Sequence, residues 1–316
     1  MNTTDATTDP TYNLVIIGAG PTGLAAAIYA AREGLTTLVV DKTIAGGLAA
    51  ITDKIDNYPG FEDGIGGIEL ADRLQKQATR FGAEIRTFTE VTGFKCIDKG
   101  IVLATAAGEI KAQAVLVATG STYRVLGVPG EAEQIGRHVH FCATCDGPLY
   151  KGRDLVVVGG GNSAIQETIF LARFARKITV LVRGSELKAS AVLVDQIKTL
   201  GNVEIVLNTA VDRFEAKENQ LTAVVGTDSI TGKSVDYPCD GVFIFIGLLP
   251  NTEIFEHQLD HDERNFLKTD AHYGTNVPGV FVAGDVRSGS TWQIAAAVGE
   301  GVSAALAVRE YLDELK

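Results

Sequence analysis

Cysteine is scarce in this chain, with four in 316 residues, which excludes a small disulfide-stapled scaffold. Cations are short as well: 28 Lys plus Arg stand against 39 Asp plus Glu, for a formal charge of −11. Nucleic-acid affinity comes mostly from basic side chains neutralising phosphates, so no nucleic-acid partner is expected. No apolar run approaches the roughly 20 residues that span a bilayer, and residues 1–12 are a polar stretch rich in Thr and Asp that reads as a flexible tail. The expected setting is therefore cytoplasmic, with no transmembrane segment. Apolar side chains are plentiful, at 46%, which excludes disorder as the main state. The length also exceeds the roughly 250 residues that one hydrophobic core usually serves, so two domains are expected.

Residues 14–23 read LVIIGAGPTG, a β-branched apolar run followed by Gly18, Gly20 and Gly23 in GxGxxG spacing, and a helical pattern continues over 24–32. In a strand, turn and helix of this kind the glycines permit the tight turn. They also admit a pyrophosphate to backbone N–H groups and let the helix pack closely on the strand. The next strand, 37–40, ends at Asp41, about where an acid meets a ribose hydroxyl. A second unit starts at residue 155, LVVVGGG. Gly159, Gly161 and Ala164 fill its small-residue positions, Asn162 and Ser163 open a helix to about residue 174, and a strand follows at 178–182. Two units predict two bound dinucleotides.

Residues 111–120, KAQAVLVATG, and 277–286, VPGVFVAGDV, each read as a strand running into a small-residue turn, the second ending at Gly284 and Asp285. Because the second landmark lies beyond the whole second unit, the first domain must be discontinuous. It covers 13–123 and 247–316, with 124–246 inserted. The expected fold class is α/β: two Rossmann-like three-layer nucleotide-binding domains, the second inserted in the first. The chain crossings near 120–123 and 247–250 form a natural double hinge. Residues 291–306 predict an alanine-rich helix whose N-terminal dipole favours negative charge.

Cys142-Ala143-Thr144-Cys145 precedes the second glycine turn. In a cytosolic α/β chain this spacing points to a reversible disulfide, with Asp146 placed to shuttle a proton to or from a thiolate. Zinc is the competing reading, since His138 and His140 stand beside the two thiols, but so compact a knot of ligands would be strained. The expectation is no metal. Cys96 and Cys239 read as ordinary buried thiols.

GAGPTG, CATCDG, GGGNSA and VPGVFVAGDV, in this order, resemble the low-molecular-weight thioredoxin reductases over essentially the whole chain after the tail. CATCDG inside the inserted domain is the most specific element. The resemblance implies FAD in the outer domain, NADPH in the inserted one, and a homodimer. Electrons would pass from nicotinamide through flavin to Cys142 and Cys145, and on to a thioredoxin-like or other disulfide protein. It places Gly46, Gly47, Asn57, Asp285 and Gln293 near the flavin.

The chain departs from that family at both nucleotides. Leu48 stands where the family carries Gln, and Trp292 where it carries Arg. Trp292, the single tryptophan, reads either as a π face for a second planar ring or as a cap packing its helix against the domain interface. Beside the adenosine 2′-phosphate the family's His-Arg-Arg and a further Arg become Val182, Arg183, Gly184 and Lys188, without the fork geometry of an arginine pair. A basic cluster of Arg173, Arg176, Lys177, Arg183 and Lys188 suits the phosphates of a second FAD or an acidic electron carrier. The expected protein is a flavin-dependent dithiol/disulfide oxidoreductase that NADPH reduces poorly. An ordinary NADPH-dependent thioredoxin reductase and a flavin-bound redox sensor without turnover are the alternatives.

Overall fold

A computed structural model describes residues 11–52, 54–55, 57–98 and 100–315. The chain forms two compact units, one holding the residues up to Thr122 together with those from Leu249 onward, the other Tyr123–Leu248. Of the expected tail, residues 1–10 lie outside the described residues. Tyr12 is already part of the first strand, and its hydroxyl donates to Glu84 at 2.7 Å.

The first unit begins β1 (Thr11–Ile17), α1 (Pro21–Arg32), β2 (Thr37–Val40), α2 (Gly47–Ala50), α3 (Gly67–Arg80), β3 (Glu84–Arg86), β4 (Val91–Ile97), β5 (Gly100–Thr105) and β6 (Gly108–Val117). Strands β3, β2, β1 and β6 lie parallel in that order, and β5 and β4 extend the sheet antiparallel. Alternation along β1 sends Leu14 and Ile16 into the core beneath α1. Val15 and Ile17 enter the opposite core, with Phe94 and Leu103, as the two-residue period of a strand requires. Both faces are thus buried, which accounts for the unbroken apolar run. At the end of β1, Gly18 takes φ +111°, and a Cβ there would strike the Ala118 carbonyl. Pro21 follows at the start of α1, where its missing N–H costs nothing and its fixed φ suits the helix.

β7 (Ser121–Tyr123) leads into the second unit: β8 (Val139–His140), α4 (Ala143–Asp146), a 3-10 turn over Gly147–Tyr150, β9 (Asp154–Val158), α5 (Asn162–Leu171), β10 (Lys177–Leu181), α6 (Ala191–Lys198), β11 (Val203–Val206), β12 (Thr209–Lys217), β13 (Gln220–Asp228), β14 (Ser234–Pro238) and β15 (Gly241–Ile244). Its central sheet runs β11-β10-β9-β15-β8, all parallel. Ile165 and Leu171 of α5 and Ile197 of α6 pack on one face. Phe214, Leu221 and Val224 of the antiparallel β12-β13-β14 layer cover the other.

β16 (Leu248–Pro250) pairs with β7, and β17 (Val280–Val282) joins the last residues of β6, beyond the reach of β5. α7 (Ile294–Glu314) closes the unit. It starts later than the alanine pattern suggests, because Trp292 sits at φ 53° and Gln293 is the extended cap. Cys239 is buried, and burial pushes its thiol up to about 12. Cys96, expected to be buried, is exposed: it lies near the end of the outermost strand, where the burial seen at Val91 and Phe94 does not continue through Lys95, Cys96 and Ile97.

α1 and α7 meet through small residues, with Ala26, Ala27, Ala30, Ala304, Ala305 and Val308 in one core. A Cβ at Gly301 would strike the Thr22 carbonyl. Gly301→Ala is therefore expected to lower the unfolding free energy by about 1–3 kcal/mol through overpacking. Helix propensity alone would raise it by up to about 1 kcal/mol, so the sign of the shift in denaturant midpoint, at unchanged slope, decides between them.

Candidate functional site: two glycine turns and a disulfide

In the first unit the chain folds a cradle around the start of α1. The Ala19 N–H donates to Asp41 Oδ2 at 2.8 Å, and Asp41 Oδ1 accepts from the Thr43 N–H and hydroxyl at 2.7 and 2.9 Å. These bonds lock Asp41 at the end of β2 and leave it further lone pairs for a hydroxyl ligand. The Gly46 N–H donates to the Ala19 carbonyl at 2.8 Å, which brings Gly47 opposite Gly20. A Cβ built on Gly20 meets nothing closer than the Gly47 Cα at 4.0 Å. That open space lies at the start of α1, where no side chain caps the first N–H groups. Gly23 packs so closely on Gly18 that a Cβ would overlap the Gly18 carbonyl.

The segment from Asp285 to Gln293 follows Gly284, which packs on Thr22 at the start of α1. Asp285 Oδ1, Ser290 Oγ and Trp292 Nε1 are buried without hydrogen-bond partners among the described residues. Burial, and secondarily the charge of Glu300, raises the Asp285 carboxyl from 3.8 to about 6. Glu300 fixes the turn itself: its carboxylate accepts the Gly284 N–H at 2.8 Å and Arg287 Nε and Nη2 at 2.9 and 2.7 Å. Nothing in the sequence singled out Glu300 or Arg287. Asn57 Nδ2 donates to Gln293 Oε1 at 3.1 Å. Leu48, on α2, is half-buried. Trp292 packs on Phe266 at 5.6 Å, and the Arg264 guanidinium lies 5.5 Å from its ring centroid, so neighbours within this unit already engage its π system.

The second unit repeats the first motif. Gly159 turns at φ +140°, Gly161 precedes α5 with open space where a Cβ would be, and Ala164 packs beneath Gly159. Asn162 Oδ1 accepts the Ser190 N–H at 2.7 Å, and the Lys188 N–H donates to the Gly160 carbonyl at 2.7 Å. The loop carrying Arg183 and Lys188 is thereby held against the turn. Both cations are exposed and neither forms an ion pair among the described residues, while Ser163 is exposed on α5.

The basic cluster does not assemble. Arg176 binds both oxygens of Asp154 at 2.9 and 2.6 Å, and Lys177 pairs with Glu204 at 2.7 Å. These residues lie at the N-terminal end of the sheet and Arg183 at its C-terminal end. The six steps of β-rise between Lys177 and Arg183 amount to roughly 20 Å.

Cys142 and Cys145 form a disulfide with Cα atoms 5.3 Å apart, and both residues are half-buried. Cys142 caps α4, its sulfur accepting the Cys145 N–H at 3.2 Å. Neighbouring Asp146 is buried, at 8% exposure. His140, considered above only as a zinc ligand, has both ring nitrogens turned elsewhere: Nε2 lies 2.7 Å from the Tyr150 hydroxyl and Nδ1 3.4 Å from Asp146 Oδ2. Among the described residues no cluster of three or more His, Cys, Asp or Glu could hold a metal.

Two helix starts open to phosphate and a disulfide beside a buried carboxylate define a nucleotide-dependent disulfide oxidoreductase. The pyridine nucleotide-disulphide oxidoreductase family model matches residues 12–301. Thioredoxin reductase of Bacillus subtilis is 39% identical over 310 residues, covering 96% of each chain. A 34.2 kDa protein in the rubredoxin operon of Clostridium pasteurianum is 39% identical, covering 95% of this chain and 97% of that one. The crystal structure of thioredoxin reductase from Streptococcus pyogenes superposes with a TM-score of 0.93 at 36% identity, over 97% of this chain and 100% of that one. The chain belongs to the pyridine nucleotide-disulphide oxidoreductase family, in its low-molecular-weight thioredoxin reductase group, and is an FAD-dependent disulfide oxidoreductase.

The cradle of the first unit fits FAD, since its open space adjoins a helix start and its buried Asp285 oxygen lacks a donor. In flavin-free protein the Asp285 charge is a liability. Because the folded-state carboxyl titrates at about 6 rather than 3.8, the penalty is absent below pH 3.8, grows as pH rises, and is complete above about pH 6. At 1.36 kcal/mol per pH unit it reaches at most about 3 kcal/mol. Flavin-free Asp285→Asn should therefore be more stable than flavin-free wild type at pH 7 and equally stable at pH 3.5, as measured by denaturant midpoints, while holding flavin more weakly.

Proposed function

We propose that the protein exchanges electrons between FAD in the first unit and the Cys142–Cys145 pair, and through that pair reduces or oxidises a thioredoxin-like or other disulfide protein. The disulfide at the cap of α4, with buried Asp146 beside it, carries this reading. When bound, FAD supplies two-electron redox chemistry. The chain supplies the rest. Gly18, Gly20 and Gly23 admit the pyrophosphate, Asp41 and Asp285 accept hydroxyl hydrogens, and Gly46, Gly47, Leu48, Asn57, Trp292 and Gln293 shape the wall. Cys142 and Cys145 accept or release the electrons as one S–S bond opens or closes, and Asp146 exchanges the accompanying proton. Family resemblance supports a cytoplasmic homodimer.

NADPH is a poor reductant in this reading. Gly159, Gly161, Asn162, Ser163 and Ala164 retain a phosphate-binding helix start. The 2′-phosphate end, however, keeps only Arg183 and Lys188, both exposed. Losing one bidentate phosphate contact costs on the order of 1.5–3 kcal/mol, about tenfold to hundredfold in affinity. A second FAD in this pocket is the competing occupant, favoured by the same two unpaired cations. With Arg176 and Lys177 already paired, the case for an acidic protein carrier loses its surface.

Anaerobic titration separates these outcomes. Stoichiometric NADPH should bleach the flavin band slowly and incompletely; rapid, complete bleaching would restore an ordinary NADPH-dependent enzyme, and two flavins per chain on extraction would assign the second pocket to FAD. Gly20→Val should purify without flavin. Cys142→Ser with Cys145→Ser should keep flavin and lose disulfide exchange entirely; unchanged exchange would sink the assignment of the pair.

A further inference from the structure

The surroundings of Asp146 go beyond that proposal while resting on it. His140 ends β8, Asp146 ends α4, and Tyr150 closes the 3-10 turn that follows. All three are buried, at 7%, 8% and 8% exposure. The imidazole packs against Phe243 of β15 at 5.2 Å and edge-on to Tyr150 at 5.4 Å, so its ring is held from several sides. The Tyr150 hydroxyl has one hydrogen. His140 Nε2 at 2.7 Å is a far better acceptor for it than the Arg137 carbonyl at 3.4 Å. With Nε2 accepting, the neutral ring carries its hydrogen on Nδ1, the nitrogen 3.4 Å from Asp146 Oδ2. That separation is longer than an ordinary N–H···O hydrogen bond.

We propose that His140 is a positioning residue for the dithiol chemistry: anchored by Tyr150 on Nε2, it presents the Nδ1 hydrogen to Asp146 and orients that buried carboxylate to take the thiol proton. A carboxylate out of water is costly unless a donor faces it. The titratable groups that face this cluster are few. Asp146 comes from α4 and Tyr150 from the 3-10 turn. Cys239 and Asp240 come from the segment entering β15, and Asp154 from β9 acts on Cys239. Burial first, and then the Asp146 charge, push the Tyr150 hydroxyl above its ordinary range, so it stays protonated and remains a donor.

The step balances as thiol–disulfide exchange. One cysteine of the reduced pair loses its proton to Asp146 and attacks an external disulfide. A mixed disulfide forms as the first external thiolate leaves. The second cysteine then gives its proton to the first departed thiolate and attacks the mixed disulfide, closing Cys142–Cys145 and releasing the second thiolate. Two electrons and two protons leave the pair, and the external disulfide is reduced.

The test uses full-length, flavin-loaded protein in a Cys96→Ser background, which removes the exposed thiol. It is reduced with dithiothreitol, desalted anaerobically, and mixed with dithiobis(nitrobenzoate) across a pH series. Release of aromatic thiolate follows the pair, since Cys239 is buried and its thiol is pushed up to about 12. His140→Phe keeps an aromatic ring and removes the donor, so the acid limb of the rate profile should move to higher pH by about one unit or more. His140→Gln keeps an N–H donor and should restore the limb to within about half a unit. Tyr150→Phe should shift it in the same direction as His140→Phe by less, which keeps the proposal readable if His140→Phe fails to fold. Asp146→Asn should leave only the limb of the thiol's own ionisation, at higher pH, and adding His140→Phe should then change nothing. A limb unmoved in both His140→Phe and Tyr150→Phe, or moved equally by Phe and Gln at position 140, overturns the proposal while leaving the function standing. No thiolate release by the parent protein would overturn both.

Discussion

A helix starts with backbone N–H groups that no earlier turn can satisfy. At α1 and α5 of this chain the capping position is glycine, with no side chain to offer them. Much of the surrounding architecture follows from leaving those groups to a ligand. The preceding strand must be buried on both faces to hold its end rigid, hence the apolar runs of β1 and β9. The turn must be tight enough to aim the N–H groups outward, hence the positive φ of Gly18 and Gly159. The helix must sit close on its strand, hence Gly23 and Ala164. In the first unit Asp41 then ties the turn to β2, and the loop at Gly46 and Gly47 closes over it.

Patterns of fixed short interval were legible in the sequence. Glycine spacing, two-residue alternation and the CxxC pair each report contacts made within one strand, turn or helix. The discontinuity of the first unit could also be read, because VPGVFVAGDV is a strand that needs a sheet, and its order in the chain left only the first one. Contacts that depend on where two distant elements meet were not legible. Glu300 reaches Gly284 and Arg287 only because α7 runs back beside the turn. The basic residues near 173–188 form one group along the chain, yet β10 carries them to opposite ends of a sheet. Cys96 shares its strand face with buried Phe94, but it lies near the end of an outer strand, where burial stops after Phe94.

His140 shows the same boundary from the other side. Its place two residues before Cys142 is compatible, by residue type alone, with metal binding. The packed structure gives each ring nitrogen a different neighbour, Tyr150 on one side and Asp146 on the other. A residue type and its spacing limit what a side chain can do, and the groups that fill its remaining valences select among those options. For the disulfide the selection runs through a buried carboxylate and a ring, with no ligand set in sight among the described residues.

The interleaving of the two units also governs the order in which they become complete during synthesis. The inserted unit holds all its strands once Leu248 has been made. The outer unit still lacks β17 and α7, and with them Val280, Phe281, Val308 and Leu312 of its two cores. Asp285, Trp292 and Gln293 also follow Leu248, between β17 and α7. A nascent chain on the ribosome therefore carries a finished disulfide-bearing unit flanked by an apolar half-sheet with one face uncovered. That half-sheet is the segment most in need of chaperoning.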